Sequence, residues 1–301
     1  MCRILIIGSM NMDITIFSER IPEQGETISG QDFLLSTGGK GANQAVAAAR
    51  MGADVTFVGC IGNDMFGDKL IDVLNADGVN TSFIRKIPGI ATGVAVITVC
   101  EGDNRIILYG GANEHVVCQP RETIENLIQE CDALMLQLEI PLVTALDAIE
   151  IASKRNKLIF LTPAPAMPLP DGLYRNVQYL LPNENEAGAL LGRTLSTGQD
   201  MFEALIAFRD RGVSDPIITL GDRGVGCFLN GMPAIRAGFK VSAVDTTAAG
   251  DTFAGAFATA VTGGAPLAEA IDFAQKAAAI CVTRPGAQNA IPYRREVPDC
   301  G

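Results

Sequence analysis

Basic residues are scarce in this sequence relative to acidic ones. Its 301 residues include 23 lysines and arginines against 34 aspartates and glutamates, which gives a formal net charge of −11. Such a chain repels polyanions, so DNA, RNA and anionic membrane surfaces are not expected as partners. A small anion such as a nucleotide remains possible, because backbone amides at a helix N-terminus bind phosphate without a basic surface.

Histidine is nearly absent, and the cysteines show no paired spacing. His115 is the only histidine, which argues against a Ser-His-Asp triad or a histidine metal centre. The eight cysteines include no C-x-x-C pair and most lie in apolar surroundings, so neither a zinc site nor a disulfide framework is expected. We expect reduced thiols in a cytoplasmic protein.

Long hydrophobic runs are missing as well. No apolar stretch is long enough to span a membrane, and the initial MCRILIIGSMNMD is typical of a first buried strand, not of a signal peptide. Hydrophobic residues nevertheless make up 48% of the chain and charged residues 19%. This balance predicts a large buried core and argues against disorder.

Short apolar runs alternate with segments of helical period along most of the chain. The runs are RILIIG, DVTFVG, DALMLQL, KLIFL, VQYLLP and DPIITLG, and the helical segments include ANQAVAAARM and LVTALDAIEIASKRN. Strands that are buried on both faces appear as continuous apolar runs, and alternation with helices indicates right-handed crossovers. We therefore expect a single α/β domain over residues 1–301, with a doubly wound, mainly parallel sheet flanked by helices.

Two segments interrupt this alternation. Residues from about 12 to 36 and from about 91 to 111 contain alternating apolar residues and turn residues but no helical pattern. The second segment is typical of a hairpin with its turn at Gly102, Asp103 and Asn104. The four strands should form a small β-sheet lid over one edge of the main domain, and one face of that lid needs cover from substrate or a second subunit.

A glycine-rich stretch, STGGKGANQAVAAA at residues 36–49, leads into a helix. Its glycines, among them Gly39, let a ligand approach the backbone closely. The stretch is not a Walker A loop, because glycine follows Lys40, and it is not a G-x-G-x-x-G fingerprint, because Gln44 stands at the last position. A structural turn alone would explain the glycines, whereas Lys40 and Asn43 in the same turn could hydrogen-bond hydroxyls.

Polar side chains follow two of the buried strands at the edge where ligands of open α/β sheets bind. Asn11 and Asp13, in GSMNMD, are two residues apart and therefore point to the same side of an extended segment. A turn with Asx hydrogen bonds explains them equally well. Glu139 ends LMLQLE and needs a backbone donor or a ligand hydroxyl, because an unpaired buried carboxylate is costly.

Two further stretches place polar residues and glycines directly after strands. In LLPNENEAGALLG, Asn183 and Glu186 could cap a helix, or Glu186 could orient a hydrated Mg²⁺ near a phosphate. In IITLGDRGVGCFLNG, Thr219, Gly221 and Gly224 would let the backbone pack on a flat ligand. A plain hairpin has the same pattern.

The stretch AVDTTAAGDTFAGAFATAV places Asp251 near the start of a helix of small residues. Ala248, Ala249 and Gly250 bring successive amides to that helix start, where with the helix dipole they form an anion hole for a transferring phosphoryl group. A carboxylate in the first turn could accept a proton from an attacking hydroxyl, or it could only cap the helix. The cap explains Asp251 but not the small residues around it.

In this order, these stretches resemble the PfkB family of carbohydrate kinases. GGKGANQA, with Gly52 and Gly62 after it, is similar to the family's first signature, and DTTAAGDTFAGAFA is similar to its second over the full length. The likeness extends from GSMNMD to CVTRPGAQ, which is nearly the whole chain. It implies ATP-dependent phosphorylation of the 5-hydroxyl of D-ribose, with Mg²⁺ carried by the nucleotide.

The resemblance also implies a role for each candidate residue. The catalytic base would be Asp251, beside an anion hole formed by Ala248, Ala249 and Gly250. The sugar hydroxyls would be held by Asn11, Asp13, Gly39, Lys40, Asn43 and Glu139. The nucleotide site would be lined by Asn183, Thr219, Gly221, Gly224 and Gln275. Glu186 would act near Mg²⁺.

A monovalent-cation site, usually occupied by K⁺, is implied beside the anion hole at Asp245, Thr247 and Gly286. Two residues depart from the family pattern. Ala290 stands where the family commonly has a serine, which removes one oxygen ligand, and Gln275 stands where a histidine is often found near the adenine. The resemblance also makes the lid a homodimer interface.

Three alternatives remain beside a ribose kinase. A kinase for deoxyribose, a nucleoside or another sugar would keep the same base and anion hole, and the Asp13 carboxylate is most useful where vicinal hydroxyls are present. A non-catalytic sugar sensor should have a damaged anion hole or lack the base, and neither is seen. A nicotinamide-dependent oxidoreductase is disfavoured, because no dinucleotide fingerprint follows the first strand.

Overall fold

The computed structural model describes residues 1–100, 103–117 and 120–298. The strands are β1 (Arg3–Ile7), β2 (Asn11–Phe17), β3 (Asp32–Gly38), β4 (Asp54–Gly62), β5 (Asn80–Ile87), β6 (Gly93–Cys100), β7 (Asp103–Tyr109), β8 (Ala133–Leu136), β9 (Leu158–Leu161), β10 (Tyr179–Leu180), β11 (Asp215–Pro216), β12 (Ile218–Thr219), β13 (Val225–Leu229) and β14 (Met232–Arg236). The helices are α1 (Lys40–Arg50), α2 (Met65–Ala76), α3 (Arg121–Glu130), α4 (Leu142–Lys154), α5 (Asp171–Tyr174), α6 (Glu184–Leu191), α7 (Gly198–Asp210), α8 (Ala249–Thr262) and α9 (Leu267–Cys281). Short 3₁₀ turns lie at Gly111–His115, Gly221–Arg223 and Arg294–Glu296.

The main sheet has seven strands in the order β11-β10-β9-β8-β1-β4-β5. All neighbouring strands pair in parallel, so the predicted doubly wound parallel sheet is confirmed. The apolar runs form its strands, except that DPIITLG is divided between β11 in this sheet and β12 in a small antiparallel sheet with β13 and β14. The edge strand β5 escaped prediction, because NTSFIRKI mixes polar and apolar residues and is only partly buried.

Each face of the main sheet has its own hydrophobic core. Along β1, Ile4 and Ile6 belong to one core, whereas Leu5 and Ile7 belong to the other, as the two-residue period of a strand requires. Helices α1, α8 and α9 cover the first face, and α3, α4 and α7 cover the second. None of the helices within the described ranges has the length and apolar character needed to cross a membrane.

A separate four-stranded sheet forms from the two segments that lack helical period. Its order is β3-β2-β6-β7, with β2 and β6 parallel and the outer pairs antiparallel. We call these four strands the lid sheet. Of the predicted turn of the second hairpin, Gly102 lies outside the described residues, whereas Asp103 and Asn104 are not in a turn but are the first two residues of β7, paired with Cys100 and Val99. Asn11 and Asp13 lie in β2, so the lid sheet carries side chains toward the edge of the main domain.

The cysteines for which the structure gives a position are free thiols, namely Cys2, Cys60, Cys100, Cys131, Cys227 and Cys281. All six are buried or half-buried, and burial raises the pKa of Cys131 to about 11 and of Cys227 to about 11. Such thiols stay protonated and act as small core residues. Cys118 and Cys300 lie outside the described residues.

Candidate active site

Asp251 is the third residue of α8, a helix that starts at Ala249. Its carboxylate does not cap the helix: Oδ2 accepts a hydrogen bond from Asn43 Nδ2 at 2.9 Å, and Oδ1 accepts one from Gln44 Nε2 at 3.0 Å. The N-cap position is occupied by Ala248, which makes no side-chain cap bond. The carboxylate is therefore directed out of its own helix and toward α1.

The backbone that leads into α8 has an unusual conformation. Ala248 has φ +59° and ψ +8°, a left-handed geometry that costs a non-glycine residue about 1–3 kcal/mol and that clusters at functional sites. The first N–H groups of a helix have no carbonyl partner within that helix. The amide of Ala249 bonds to Thr246 O at 3.3 Å, and Ala248, Gly250 and Asp251 line a cavity directly above. A helix start with this geometry beside a cavity is able to bind an anion.

The small residues inside α8 allow it to lie against α1. A Cβ added to Gly255 would lie 2.6 Å from the Cβ of Ala47 and 2.8 Å from the carbonyl oxygen of Gln44. Only glycine fits at this contact. The packing of the two helices therefore accounts for Gly255, which a helix cap at Asp251 does not. The close packing of the two helices brings the side chains of Asn43 and Gln44 to Asp251.

Two adjoining cavities open at the carboxyl edge of the main sheet. The smaller, of about 190 Å³, is lined by predicted site residues and by the start of α8, namely Lys40, Asn183, Glu186, Thr219, Ala248, Ala249, Gly250 and Asp251. The larger, of about 500 Å³, shares Thr219, Thr246 and Gly250 with it. One elongated ligand could therefore occupy both cavities, with its charged end at the start of α8.

The larger cavity has a mainly apolar wall and a few backbone and amide groups. Gly221 and Gly224 line it, and both have positive φ. A Cβ on Gly224 would lie 2.0 Å from Arg236 O, so no side chain fits there. Gln275 also lines the cavity; it is only 6% exposed, and neither atom of its amide has a hydrogen-bond partner in the structure. An unpaired buried amide of this kind is suited to a polar ligand edge.

Asn183 and Glu186 do cap α6, as one of their two interpretations predicted. The Asn183 side chain accepts from Glu186 N at 2.8 Å, and the Glu186 carboxylate accepts from Asn183 N at 2.9 Å. This reciprocal pair does not remove them from the smaller cavity, which both of them line. Burial raises the pKa of Glu186, while the Asn183 amide and Lys40 oppose that rise.

Lys40 is surrounded by acidic side chains. Burial lowers its pKa, but the carboxylates of Asp251, Glu139, Glu186 and Asp13 more than offset burial, so the pKa of Lys40 is raised. Its ammonium group therefore stays charged. Because Lys40 also lines the smaller cavity, it joins the predicted sugar residues to the start of α8.

Asp13 is a buried carboxylate whose negative charge is only partly offset by a nearby positive charge. Burial, followed by the nearby charges of Glu139 and Asp251, raises its pKa from 3.8 to about 7, and Lys40 only partly opposes this rise. Near neutral pH the group is therefore divided between its protonated and ionised forms. A ligand hydroxyl that donates to it would favour the ionised form.

Glu139 has the local donors that its position requires. Its Oε2 accepts from Ser9 Oγ at 2.6 Å and from the backbone amide of Lys40 at 3.1 Å. It lies three residues beyond the end of β8, at the start of α1. Glu139 therefore ties the glycine-rich turn to the first strand.

Asn11 and Asn43 are held differently. Asn113 donates from Nδ2 to Asn11 Oδ1 at 2.7 Å and so fixes its side chain. Asn43 donates to Asp251, while its own Oδ1 is buried and unpartnered in the structure. Beside them, Gly39 has φ +88°, and an added Cβ would lie 2.7 Å from Asn11 N. The turn and the start of β2 are thus in backbone contact.

Asp245, Thr247 and Gly286 come together through hydrogen bonds. Oδ1 of Asp245 accepts from the Thr247 amide at 2.9 Å and its hydroxyl at 2.6 Å, and Oδ2 accepts from Gly286 N at 2.9 Å. Ala290 is fully buried and adds no side-chain oxygen. Over residues 1–100, 103–117 and 120–298 no group of three or more His, Cys, Asp or Glu side chains could hold a metal ion.

Several polar residues that complete this region were not predicted. They are Ser9, Gln44, Asn113, Gln137 and Thr162, which bond to predicted residues or to one another. Most of them stand in, or directly after, stretches that the sequence did single out. Their position beside predicted residues could have identified them as candidates. Their hydrogen-bond partners could not be predicted, because those partners are distant in sequence.

Fold and site together define an α/β enzyme that presents a helix N-terminus, a buried carboxylate and a lysine to one cavity. The chain matches the family model described as pfkB family carbohydrate kinase over residues 1–294 and belongs to that family. It is a phosphotransferase that acts on a hydroxyl group.

Individual relatives agree with this family. The chain is 42% identical to the ribokinase of Haemophilus influenzae, over 97% of this chain and 95% of the relative. It is 34% identical to the deoxyribokinase of Salmonella typhimurium, over 96% and 95%. Among solved structures, that of Arabidopsis thaliana ribokinase complexed with ribose and ATP superimposes with a TM-score of 0.90, at 32% identity, over 98% of this chain and 97% of the other.

Proposed function

We propose that this protein transfers the γ-phosphoryl group of ATP to the 5-hydroxyl of D-ribose, giving D-ribose 5-phosphate and ADP. The observation that carries this proposal is the position of Asp251. Its carboxylate lies in the first turn of α8, in the same cavity as the Gly250 backbone and beside the side chain of Asn43. A base and an anion-binding helix start therefore share one site.

In this proposal Asp251 takes the proton of the sugar hydroxyl while the hydroxyl oxygen attacks the γ-phosphorus. The bond from that phosphorus to the bridging oxygen of ATP breaks, and ADP leaves. The amides of Gly250 and Asp251, with the dipole of α8, stabilise the charge on the transferring group, and with Ala248 and Ala249 they make the anion hole. Lys40, which stays charged, faces the same cavity.

The sugar would lie between the lid sheet and the glycine-rich turn. Asn43 offers an unpaired carbonyl oxygen, and Asp13 is poised to accept from a hydroxyl. Asn11, Gly39, Lys40 and Glu139 complete the set. Their mutual hydrogen bonds and close backbone contacts make this a preformed site, which lowers the entropic cost of binding.

The nucleotide would extend from the smaller cavity into the larger one. Thr219, Gly221 and Gly224 would lie along it, with Asn183 near the phosphates and the unpaired amide of Gln275 toward the base. Mg²⁺ bound with ATP would neutralise charge on the phosphates. The Glu186 carboxylate, which lines the smaller cavity, would hold water around that ion.

A monovalent cation, K⁺ by size and chemistry, would be held near Asp245, Thr247 and Gly286. The Asp245 carboxylate and the Thr247 hydroxyl are oxygen ligands of the kind that a hard cation prefers. Asp245 and Thr247 flank Thr246, which lines both cavities. A cation bound there would therefore add positive charge near the start of α8. With Ala290 in place of a serine, water would supply the remaining oxygen.

The outer face of the lid sheet would form a homodimer interface. Apolar side chains are exposed along it, including Phe33 at 60% and Ile107 at 75%. Such a contiguous face is unusual on a monomer. Ile107→Asp should convert a dimer into a monomer by light scattering at micromolar concentration, whereas Met65→Asp, on α2, should not; a monomeric wild-type protein would contradict the interface.

Ribose is favoured over deoxyribose on one observation, the carboxylate of Asp13 beside the turn that carries Asn43. A carboxylate can accept from two neighbouring hydroxyls, and deoxyribose lacks one of them. A non-catalytic sensor is disfavoured, because base and anion hole lie in one cavity. We further propose that residues 1–301 act as one domain in the cytoplasm, where free thiols are the norm.

A coupled assay of ADP release tests the substrate. Wild-type protein, ATP and Mg²⁺ are tested with ribose, 2-deoxyribose, fructose and adenosine, with and without K⁺. We expect the highest kcat/KM with ribose and a K⁺-dependent rise in kcat. Asp13→Ala should reduce the preference for ribose over deoxyribose; equal kcat/KM for the two sugars in the wild-type protein would refute the assignment of ribose.

A further inference from the structure

Gln44 and Gln137 are fully buried beside Asp251, with no exposed surface. Gln44 lies on α1, and Gln137 follows β8 directly. Gln137 Nε2 donates to Gln44 Oε1 at 2.5 Å, and Gln44 Nε2 donates to Asp251 Oδ1 at 3.0 Å. The two amides thus form a chain of hydrogen bonds that ends on the carboxylate.

Each polar atom of the Gln44 side chain has a hydrogen-bond partner within the protein. Its NH₂ group has two protons, and its bonds go to Asp251 and, at 3.1 Å, to the hydroxyl oxygen of Thr162. Its oxygen accepts from Gln137. Both polar atoms of this side chain are therefore satisfied within the protein, and the side chain is fully buried. In this respect it differs from Asn43, whose Oδ1 is unpaired.

The orientation of the Gln44 amide suits both of its neighbours, the carboxylate of Asp251 and the amide of Gln137. If that amide were rotated by half a turn, its oxygen would face the carboxylate of Asp251, and two acceptors would meet without a proton. It would also present its NH₂ to the NH₂ of Gln137. The donor of Gln137 therefore favours the orientation in which Gln44 donates to Asp251.

Stability alone does not account for this pair. Gln137 Oε1 is buried and has no hydrogen-bond partner in the structure, which is unfavourable for folding. Room for it exists only because residue 8 is glycine, since a Cβ on Gly8 would lie 2.3 Å from that oxygen. A feature that lowers stability and needs a glycine to accommodate it indicates a role in function and not in folding.

We infer that Gln44, oriented by Gln137, is a positioning residue that holds the carboxylate of Asp251 for proton transfer. This inference rests on the proposed function, because it assumes that Asp251 is the base. Donors on both carboxylate oxygens, from Gln44 and Asn43, restrict the side chain to one rotamer.

The test uses the full-length variants Gln44→Met, Gln44→Glu and Gln137→Met, with steady-state kinetics on ribose and ATP from pH 5.5 to 9. For Gln44→Met and Gln137→Met we expect kcat to fall by about 10- to 100-fold, with KM for both substrates changed less than about threefold. In Gln44→Glu the acidic limb of kcat should move up by about one pH unit or more, because a second carboxylate faces Asp251.

A structural role alone would not move the pH profile. The other ionisable groups around Asp251, namely Lys40, Asp13, Glu186 and the thiol of Cys281, are unchanged in all three variants. The control is Gln178→Met, which removes a half-buried amide bonded to Ile159 N at the amino edge of the sheet. We expect wild-type kinetics from this control.

A double variant locates the effect. If Gln44 acts through Asp251, Gln44→Met should cause no further loss of kcat when added to Asp251→Asn. Should Gln44→Met fail to fold by circular dichroism, Gln137→Met carries the same expectations. Wild-type kcat and pH profile in that variant, beside an inactive Asp251→Asn, would overturn the inference and leave the proposed function standing. A wild-type protein inactive on every sugar would refute both.

Discussion

Replacing Asp13 by asparagine should make the free protein more stable at alkaline pH. The carboxylate is only 8% exposed, and burial with nearby negative charge raises its pKa to about 7 in the folded protein, from 3.8. Folding therefore forces a group that is ionised in the unfolded chain at pH 8 into a site that disfavours its charge. Asparagine has nearly the same shape and carries no charge.

The sign follows from proton binding in the two states. Between pH 4 and pH 7 the folded protein holds the Asp13 proton more tightly than the unfolded chain, so stability falls as pH rises through this range. The rise from 3.8 to about 7, at about 1.36 kcal/mol per pH unit, corresponds to about 4 kcal/mol at pH 8. At pH 4 the loss of folding stability caused by ionisation of Asp13 should be below about 1 kcal/mol.

Urea unfolding of both proteins from pH 4 to pH 8 measures this difference. Asp13→Asn should gain up to about 4 kcal/mol relative to wild type at pH 8, and the gain should vanish toward pH 4. Asp72→Asn, at an exposed position on α2, serves as the control and should show no such pH dependence. A stability difference that stays constant across this range would refute the argument from burial. The stabilised variant should also bind ribose more weakly, because the carboxylate is the group offered to its hydroxyls.

Three further perturbations test other parts of the structure. Arg50 is buried with Asp77 at 2.8 Å and also donates to the carbonyl oxygens of Gln288 and Ile291, so Arg50→Met should lower the free energy of unfolding by about 3–5 kcal/mol in urea. Lys154→Met, at an exposed position, is the control and should leave the urea midpoint unchanged. Equal losses of unfolding free energy in Arg50→Met and Lys154→Met would contradict the stabilising role of Arg50. Gly255→Ala should force α8 away from α1 and cost about 1–3 kcal/mol together with a lower kcat, whereas Gly172→Ala, where a Cβ meets nothing within 4 Å, should do neither. Glu186→Gln keeps the capping pair possible and should raise the Mg²⁺ concentration for half-maximal rate several-fold at constant KM for ribose; an unchanged Mg²⁺ requirement would exclude the assigned role.

The sheet was predictable because its central strands are buried on both faces. β1, β4, β8 and β9 appear as continuous apolar runs that no other element explains as well. The same rule fails at the edge. β5 has one neighbour and remains partly exposed, so its sequence mixes polar and apolar residues, and DPIITLG contains two short strands of different sheets.

That several of the expected residues share one cavity was also predictable, whereas the hydrogen bonds that connect them were not. Strand ends and glycine turns carry local signals, and Asp251, Lys40 and Glu186 were identified from them. Whether Asp251 caps its helix could not be decided locally, because its partner Asn43 is 208 residues away in sequence. The raised pKa of Asp13 likewise arises from burial and from charges on other elements.

The most direct test of Asp251 as the catalytic base is the Asp251→Asn variant. Asparagine keeps the size of the side chain and an acceptor for Gln44, and rotation of the Asn43 amide would let its unpaired oxygen accept from the new NH₂ group, so fold and urea midpoint should be retained. We expect ribose binding by calorimetry to stay within a few-fold of wild type while kcat falls by about 10²- to 10⁴-fold. Turnover within about threefold of wild type in a variant that binds ribose normally would contradict this account.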